Sequence, residues 1–147
     1  MMRILFVCMG NICRSPTVEA VARVQFARAR VAVQIESAGT EDYHVGERAD
    51  PRAIAIAQAH GYPLAAHRAR QLRSTDFHSF DHVFAMDRVN LRAMQACRPD
   101  AGGVEPELFL GEVDVSDPYY GSDSDFEHVI ALAREGVGAL IERLRGS

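Results

Sequence analysis

The 147-residue sequence contains no lysine and no tryptophan, and all sixteen of its basic residues are arginine. Without an ε-amine there is neither Schiff-base chemistry nor a Walker-type phosphate loop. Cysteine is scarce as well. Cys8, Cys13 and Cys97 are an odd and small set, a poor disulfide framework that suits a reducing compartment. No Cys-x-x-Cys occurs and no Cys/His set has zinc spacing, so neither a metal nor another cofactor is expected. No apolar run approaches the length of a membrane span, and the opening stretch is too short for a signal peptide. The expected compartment is the cytoplasm, with no membrane partner. The net charge of -4 argues against nucleic acid as a partner, and it means that any anion site must be local.

What is present is ordinary for a globular chain: 48% hydrophobic and 24% charged residues. The length predicts one domain, residues 1–147, with a sizeable core, and the expected state is a monomer. Residues 3–7 form a continuous apolar run with branched side chains, the mark of a strand buried on both faces. Ser15 and Pro16 suit the N-cap and first turn of a helix that runs to about residue 30. A second strand is expected over 31–36, then a polar loop over 37–50 and a helix over 51–60. Residues 76–80 are mixed in character. A third strand is expected at 82–86, a helix capped by Asp87 up to about residue 97, and a short fourth strand at 107–110. An acidic loop over 111–123 precedes a final amphipathic helix at about 124–144. The order βαβ-α-βα-βα predicts an α/β fold: an open four-stranded parallel sheet flanked by helices on both faces. Ligands of such sheets sit beyond the carboxyl ends of the strands, where the loop after the first strand lies.

That loop reads Cys8-Met9-Gly10-Asn11-Ile12-Cys13-Arg14-Ser15. A tight loop entering a helix can turn backbone N–H groups inward as an anion nest. Gly10 accepts any backbone conformation, and Asn11 tolerates the left-handed one. Arg14 adds a planar fork for two phosphate oxygens. The same donors stabilise a thiolate, which makes Cys8 a nucleophile. A buried core cysteine would leave Gly10, Asn11, Arg14 and Ser15-Pro16 as coincidence. Cys13 has two readings: it packs beneath the loop, or it forms a reversible disulfide with Cys8. Cys97 reads as structural.

Thiolate attack on a phosphate monoester expels an alkoxide or phenolate, which an acid must protonate. Of the late acidic residues, Asp117 stands out. Pro118 restricts its backbone. Tyr119 and Tyr120 would wall a substrate ring and partly desolvate the carboxyl group.

These residues carry a resemblance. Residues 7–16, Val-Cys-Met-Gly-Asn-Ile-Cys-Arg-Ser-Pro, resemble the active-site signature of the low-molecular-weight protein tyrosine phosphatases, as found in a bacterial member. Asp117-Pro118-Tyr119-Tyr120 resembles that family's general-acid motif. Ser37-Ala38-Gly39-Thr40, residues 67–71 and Met86-Asp87 resemble further landmarks. The resemblance implies a four-stranded parallel sheet and a metal-free, two-step hydrolysis through a phosphocysteine, with inorganic phosphate as product. It implies that Cys8 attacks, Arg14 clamps the phosphoryl oxygens and Asp117 serves as acid and then base. Asn11 would hold the loop and Ser15 would donate to the Cys8 thiolate. Met9, Ile12, Tyr43, Tyr119 and Tyr120 would line the slot for the substrate ring, with Tyr43 standing where many relatives have tryptophan. For Cys13 it implies the protective disulfide. The implied partner is a phosphotyrosine-bearing protein; bacterial relatives act on tyrosine kinases and exopolysaccharide enzymes. His67 reads as a hydrogen-bonded structural histidine, and Asp87 as a cap or network partner.

Three rival readings apply. Arsenate reductases of similar fold need a relay of further cysteines, and only Cys97 is available. In phosphoarginine phosphatases a threonine usually takes the place of Ile12 and the aromatic pair is altered. A non-catalytic phosphotyrosine-binding module would need a missing catalytic group, and none is missing.

Overall fold

The computed structural model describes residues 1–146. Its strands are β1 (Met2–Cys8), β2 (Val33–Gly39), β3 (His82–Ala85) and β4 (Glu107–Leu108). Its helices are α1 (Arg14–Arg28), α2 (Pro51–Ala59), α3 (Asp76–Ser79), α4 (Arg88–Cys97) and α5 (Asp123–Arg145). All strand pairs are parallel and the sheet order is β2-β1-β3-β4. The four-stranded parallel sheet read from the sequence is therefore the observed one.

Strand β1 is central, and its alternation explains why both faces are apolar. Ile4, Phe6 and Cys8 belong to one core, with Val18, Val21 and Phe26 of α1, Ala53 and Ala57 of α2, and Phe126, Val129, Ile130 and Ala133 of α5. Leu5 and Val7 belong to the other, with Phe77 of α3 and Met94 of α4. Each residue from Ile4 to Val7 is fully buried. Phe6 anchors the larger core. Its ring stacks on Phe84 at 5.9 Å and meets Phe109 edge-on at 5.4 Å, the arrangements that the ring quadrupole favours.

Four local expectations need correction. Ser15 is not the N-cap of α1. The helix starts at Arg14, Cys13 is the capping residue, and no side chain caps it. The Ser15 hydroxyl is turned toward Cys8 instead. Helix α1 stops at Arg28, and Arg30 takes a left-handed conformation (φ 59°) while the Val31 N–H reaches the Phe26 carbonyl. Strand β2 runs through Gly39, so residues 37–39 are strand and not loop, because Phe6, Val7 and Cys8 pair with Ser37, Ala38 and Gly39. Strand β4 is only two residues long, and residues 76–79 form a short helix.

The pairing of Cys8 with Gly39 positions the site. The loop after β1 folds back over the end of β2, with the Thr40 N–H on the Cys8 carbonyl and the Glu41 N–H on the Met9 carbonyl, at 2.9 and 3.0 Å. A Cβ on Gly39 would lie 2.7 Å from the Met9 carbonyl oxygen and 3.2 Å from the Asn11 Cβ. Gly39→Ala is accordingly expected to cost about 1–3 kcal/mol by overpacking. Gly138 lies on α5, where a Cβ would meet nothing. Gly138→Ala is expected to gain up to ~1 kcal/mol through helix propensity. Denaturant unfolding of both variants measures this contrast.

Candidate active site

The loop between β1 and α1 is built around Asn11, which is fully buried with a left-handed backbone (φ 59°). Such a conformation costs roughly 1–2 kcal/mol for a residue with a Cβ, and the side chain offsets that cost with hydrogen bonds. Nδ2 donates to Ser15 Oγ at 2.8 Å and to Ser37 Oγ at 2.9 Å. Oδ1 accepts from the Arg70 N–H at 3.0 Å. The Asn11 carbonyl accepts from His67 Nε2 at 2.7 Å. Ser37 passes its own proton to Glu19 Oε1 at 2.5 Å. His67 is thus a hydrogen-bonded structural histidine, as expected. Ser37 stands in a stretch that resembles a family landmark, whereas nothing in the sequence pattern marks its partner Glu19.

This network orients the nucleophile. Ser15 Oγ accepts from Asn11 Nδ2 and lies 3.0 Å from Cys8 Sγ, where its hydroxyl can donate once the sulfur is a thiolate. The Asn11 N–H donates to the same sulfur at 3.3 Å. Cys8 is 3% exposed at the end of β1. The first-turn N–H groups of α1, which have no partner within the helix, lie just beyond the loop.

Arg14 closes one side. It is 3% exposed, and its Nη1 donates to Asp87 Oδ2 at 2.6 Å and to the Val115 carbonyl at 3.0 Å. Asp87 uses its other oxygen to cap α4, accepting from the Asn90 N–H at 2.7 Å. The guanidinium plane is thereby fixed, and Nη2 faces Asp117 Oδ2 at 3.8 Å. Burial disfavours the Arg14 charge, but Cys8, Asp87 and Asp117 outweigh it and the pKa is raised.

Asp117 stands at the mouth of the site. The Val115 N–H bonds the Met86 carbonyl at 2.7 Å, which ties the acidic loop to the end of β3. Asp117 Oδ1 accepts from the Tyr119 N–H at 3.1 Å, a tight local turn. The tyrosine wall covers Asp117 only in part. The Asp117 side chain is 51% exposed, and Tyr120, at 95% exposed, projects into solvent. The charged neighbour of Asp117 across the cleft is Arg14.

A cleft of about 310 Å³ brings these residues together. Cys8, Arg14 and Asp117 line it, as do loop residues Met9, Gly10, Asn11, Ile12 and Cys13 and the expected ring-slot residues Tyr43, Tyr119 and Tyr120. His44 also lines it, packed against Gly10, where a Cβ would meet its ring at 3.0 Å. Nothing in the sequence pattern marked His44, because its place follows from the backbone of a long loop. A larger cavity of about 510 Å³ lies behind the Asn11 network against Glu19, Ser37 and His67. It does not include Cys8, so the smaller cleft is the one that can do chemistry. Among the described residues no cluster of His, Cys, Asp and Glu could hold a metal ion. No helix among them is long and apolar enough to cross a membrane.

All three cysteines are free thiols. Cys97 packs against the other core, across the sheet from Cys8 and Cys13, which gives an arsenate-type relay no path.

The chain matches the family model "Low molecular weight phosphotyrosine protein phosphatase" over residues 3–147. It is 42% identical to the low molecular weight protein-tyrosine-phosphatase of Streptomyces coelicolor, over 97% of this chain and 93% of that one. It is 38% identical to the pig (Sus scrofa) low molecular weight phosphotyrosine protein phosphatase, over 97% and 95%. The crystal structure of a protein tyrosine phosphatase from Entamoeba histolytica, with Hepes in its active site, superposes with a TM-score of 0.93 at 33% identity, covering 99% and 98% of the two chains. The chain belongs to the low molecular weight phosphotyrosine protein phosphatase family. Its relatives lie in both bacteria and eukaryotes.

Cys13 generates a pH prediction. Burial first, then Asp50, Cys8 and Asp117, push its thiol well above the ordinary 9.0. The folded-state pKa exceeds the unfolded one, so the folded chain holds this proton after the unfolded chain has lost it. The contribution is complete below the unfolded pKa and is lost as pH rises past it. Thermal unfolding should therefore fall more steeply with pH, from about pH 8.5 upward, in the native chain than in Cys13→Ala.

Proposed function

We propose that the three groups converging on the cleft divide the hydrolysis of a phosphotyrosine side chain between them. The chain is a protein tyrosine phosphatase that hydrolyses aryl phosphate monoesters through a phosphocysteine. The observation that carries this assignment of roles is a buried Cys8 Sγ facing two donors, beside the fixed fork of Arg14 and below the carboxyl group of Asp117.

In the first step Cys8 Sγ attacks phosphorus and the bond to the phenolic oxygen breaks. Ser15 and the Asn11 N–H have held the sulfur's charge until that point. Arg14 gathers the phosphoryl oxygens, and the loop donors with the N-terminus of α1 take up the spread negative charge. Asp117 gives its proton to the departing phenolate. In the second step Asp117 accepts a proton from water, the water oxygen attacks phosphorus, the S–P bond breaks, and inorganic phosphate leaves with the thiolate restored.

The slot favours a ring. Met9, Ile12, Tyr43 and Tyr119 present apolar surface around an opening whose floor is the phosphate loop, and the long reach of phosphotyrosine brings phosphorus to that floor. A phosphotyrosine-bearing protein is the proposed partner, of the kind found in bacterial tyrosine kinases or exopolysaccharide synthesis. The complete use of arginine in place of lysine is compatible with a GC-rich bacterial genome. A cytoplasmic, monomeric state fits the free thiols. Cys13, five positions from Cys8 and buried in the same loop, is proposed as its reversible disulfide partner.

Two results are expected from steady-state kinetics. Phosphotyrosine peptides should be hydrolysed far faster than matched phosphoserine or phosphoarginine peptides. Cys8→Ser should abolish turnover while vanadate binding persists, and near-normal turnover by that variant would overturn the reading.

A further inference from the structure

We propose that Arg52 is the positioning residue for the general acid: it holds the Asp117 loop over the nucleophile loop without touching substrate. This rests on the assignment of Asp117 as the acid. Arg52 lies in the first turn of α2, outside both motifs, and no sequence feature singled it out.

Asp50, with its side chain 8% exposed, caps α2 by accepting from the Arg52 N–H at 2.9 Å. The same carboxylate takes the Arg52 guanidinium in a two-pronged contact, Nε to Oδ1 at 3.1 Å and Nη2 to Oδ2 at 2.9 Å. The planar fork is thereby fixed in direction. Its outer edge donates to the Tyr119 carbonyl at 2.8 Å and to the Gly121 carbonyl at 3.3 Å. The guanidinium also lies over the Phe126 ring at 4.6 Å and the Tyr119 ring at 5.9 Å. A single side chain therefore grips the segment that carries the acid on both sides of Tyr120.

The other end of this link reaches the nucleophile loop. The Asp50 N–H donates to the Ile12 carbonyl at 2.8 Å, and the Tyr119 N–H donates to Asp117 Oδ1 at 3.1 Å. A continuous line of contacts thus runs from Ile12 through Asp50, Arg52 and Tyr119 to Asp117. The acidic loop is also held before Asp117 by Arg88 on Glu112 and Asp114 and by Val115 on Met86 and Arg14, at Asp117 by the 3.8 Å approach of Arg14, and after it by the capping box of Ser122 and Asp125 at the start of α5. Between those anchors the segment is mostly exposed. Without Arg52 the exposed backbone at Tyr119 and Gly121 loses its only side-chain donor among the described residues, and proton transfer tolerates little displacement of the acid next to it.

A pair that only stabilised the fold would slow all substrates alike. A positioning role makes a narrower demand. A phosphate ester with a strongly acidic phenol needs little protonation as it leaves, while phenyl phosphate needs it fully. Arg52→Gln should lower kcat/KM for phenyl phosphate by about tenfold or more and for dinitrophenyl phosphate by less than about threefold. Vanadate inhibition should not change. Arg52→Lys, which keeps the charge without the planar fork, should fall between. Adding Arg52→Gln to Asp117→Asn should cost nothing further, because the two act on one step. Equal losses on both esters, or fully multiplicative losses in the double variant, would overturn the proposal. Asp117→Asn measured alone separates the two levels: if it shows no leaving-group dependence, the acid assignment itself fails and this inference with it.

Discussion

Asn11 holds a left-handed backbone inside the fold through its own side chain, and the rest of the site follows from that bond set. Its amide is shared between Ser15 and Ser37, and its carbonyl groups take the Arg70 N–H and His67. The Ser15 hydroxyl, which accepts from Asn11, lies against the Cys8 sulfur and the more distant Ala38 carbonyl. A Cys8 thiolate has no proton to give, so in that state the hydroxyl is the donor of the pair. The network is buried, so each unmade bond would leave a desolvated polar atom at a cost of about 1–3 kcal/mol. That penalty makes the loop rigid before any ligand arrives.

The second constraint is electrostatic. Arg14 is almost fully buried, and a buried guanidinium requires partners. Asp87 and the Val115 carbonyl supply them on one edge, which leaves Nη2 directed at Asp117. Asp87 does double duty as the cap of α4, so the phosphate clamp is braced by a secondary-structure element and not by a loose side chain. Binding groups set on strand and helix ends in this way need little reorganisation when charge develops during the reaction.

Much of this was legible in the sequence, for physical reasons that differ by element. The apolar run before Cys8 could only be a strand buried on both faces, and the alternation of Ile4 and Phe6 against Leu5 and Val7 into two cores bears this out. Asp87 was readable as a cap because capping depends on local chemistry. Ser15 was misread for the same reason: a serine before proline suits a cap, and only the tertiary position of Cys8 explains why its hydroxyl turns the other way. How far the tyrosines cover Asp117 depends on which residues surround a loop, which no run of letters records; Tyr120 turns out almost fully exposed. His44 and Arg52 were invisible because their partners lie far along the chain; Arg52 reaches carbonyls 67 and 69 residues away.

Turnover by this enzyme proceeds through a covalent bond from phosphorus to the Cys8 sulfur. Rapid acid quenching of the enzyme during turnover of an aryl phosphate, followed by mass spectrometry of its peptides, tests this directly. One phosphoryl group should be found, and it should sit on the peptide containing Cys8. A phosphoryl group on another residue, or no phosphoenzyme under conditions where turnover is measured and release is slow, would contradict it.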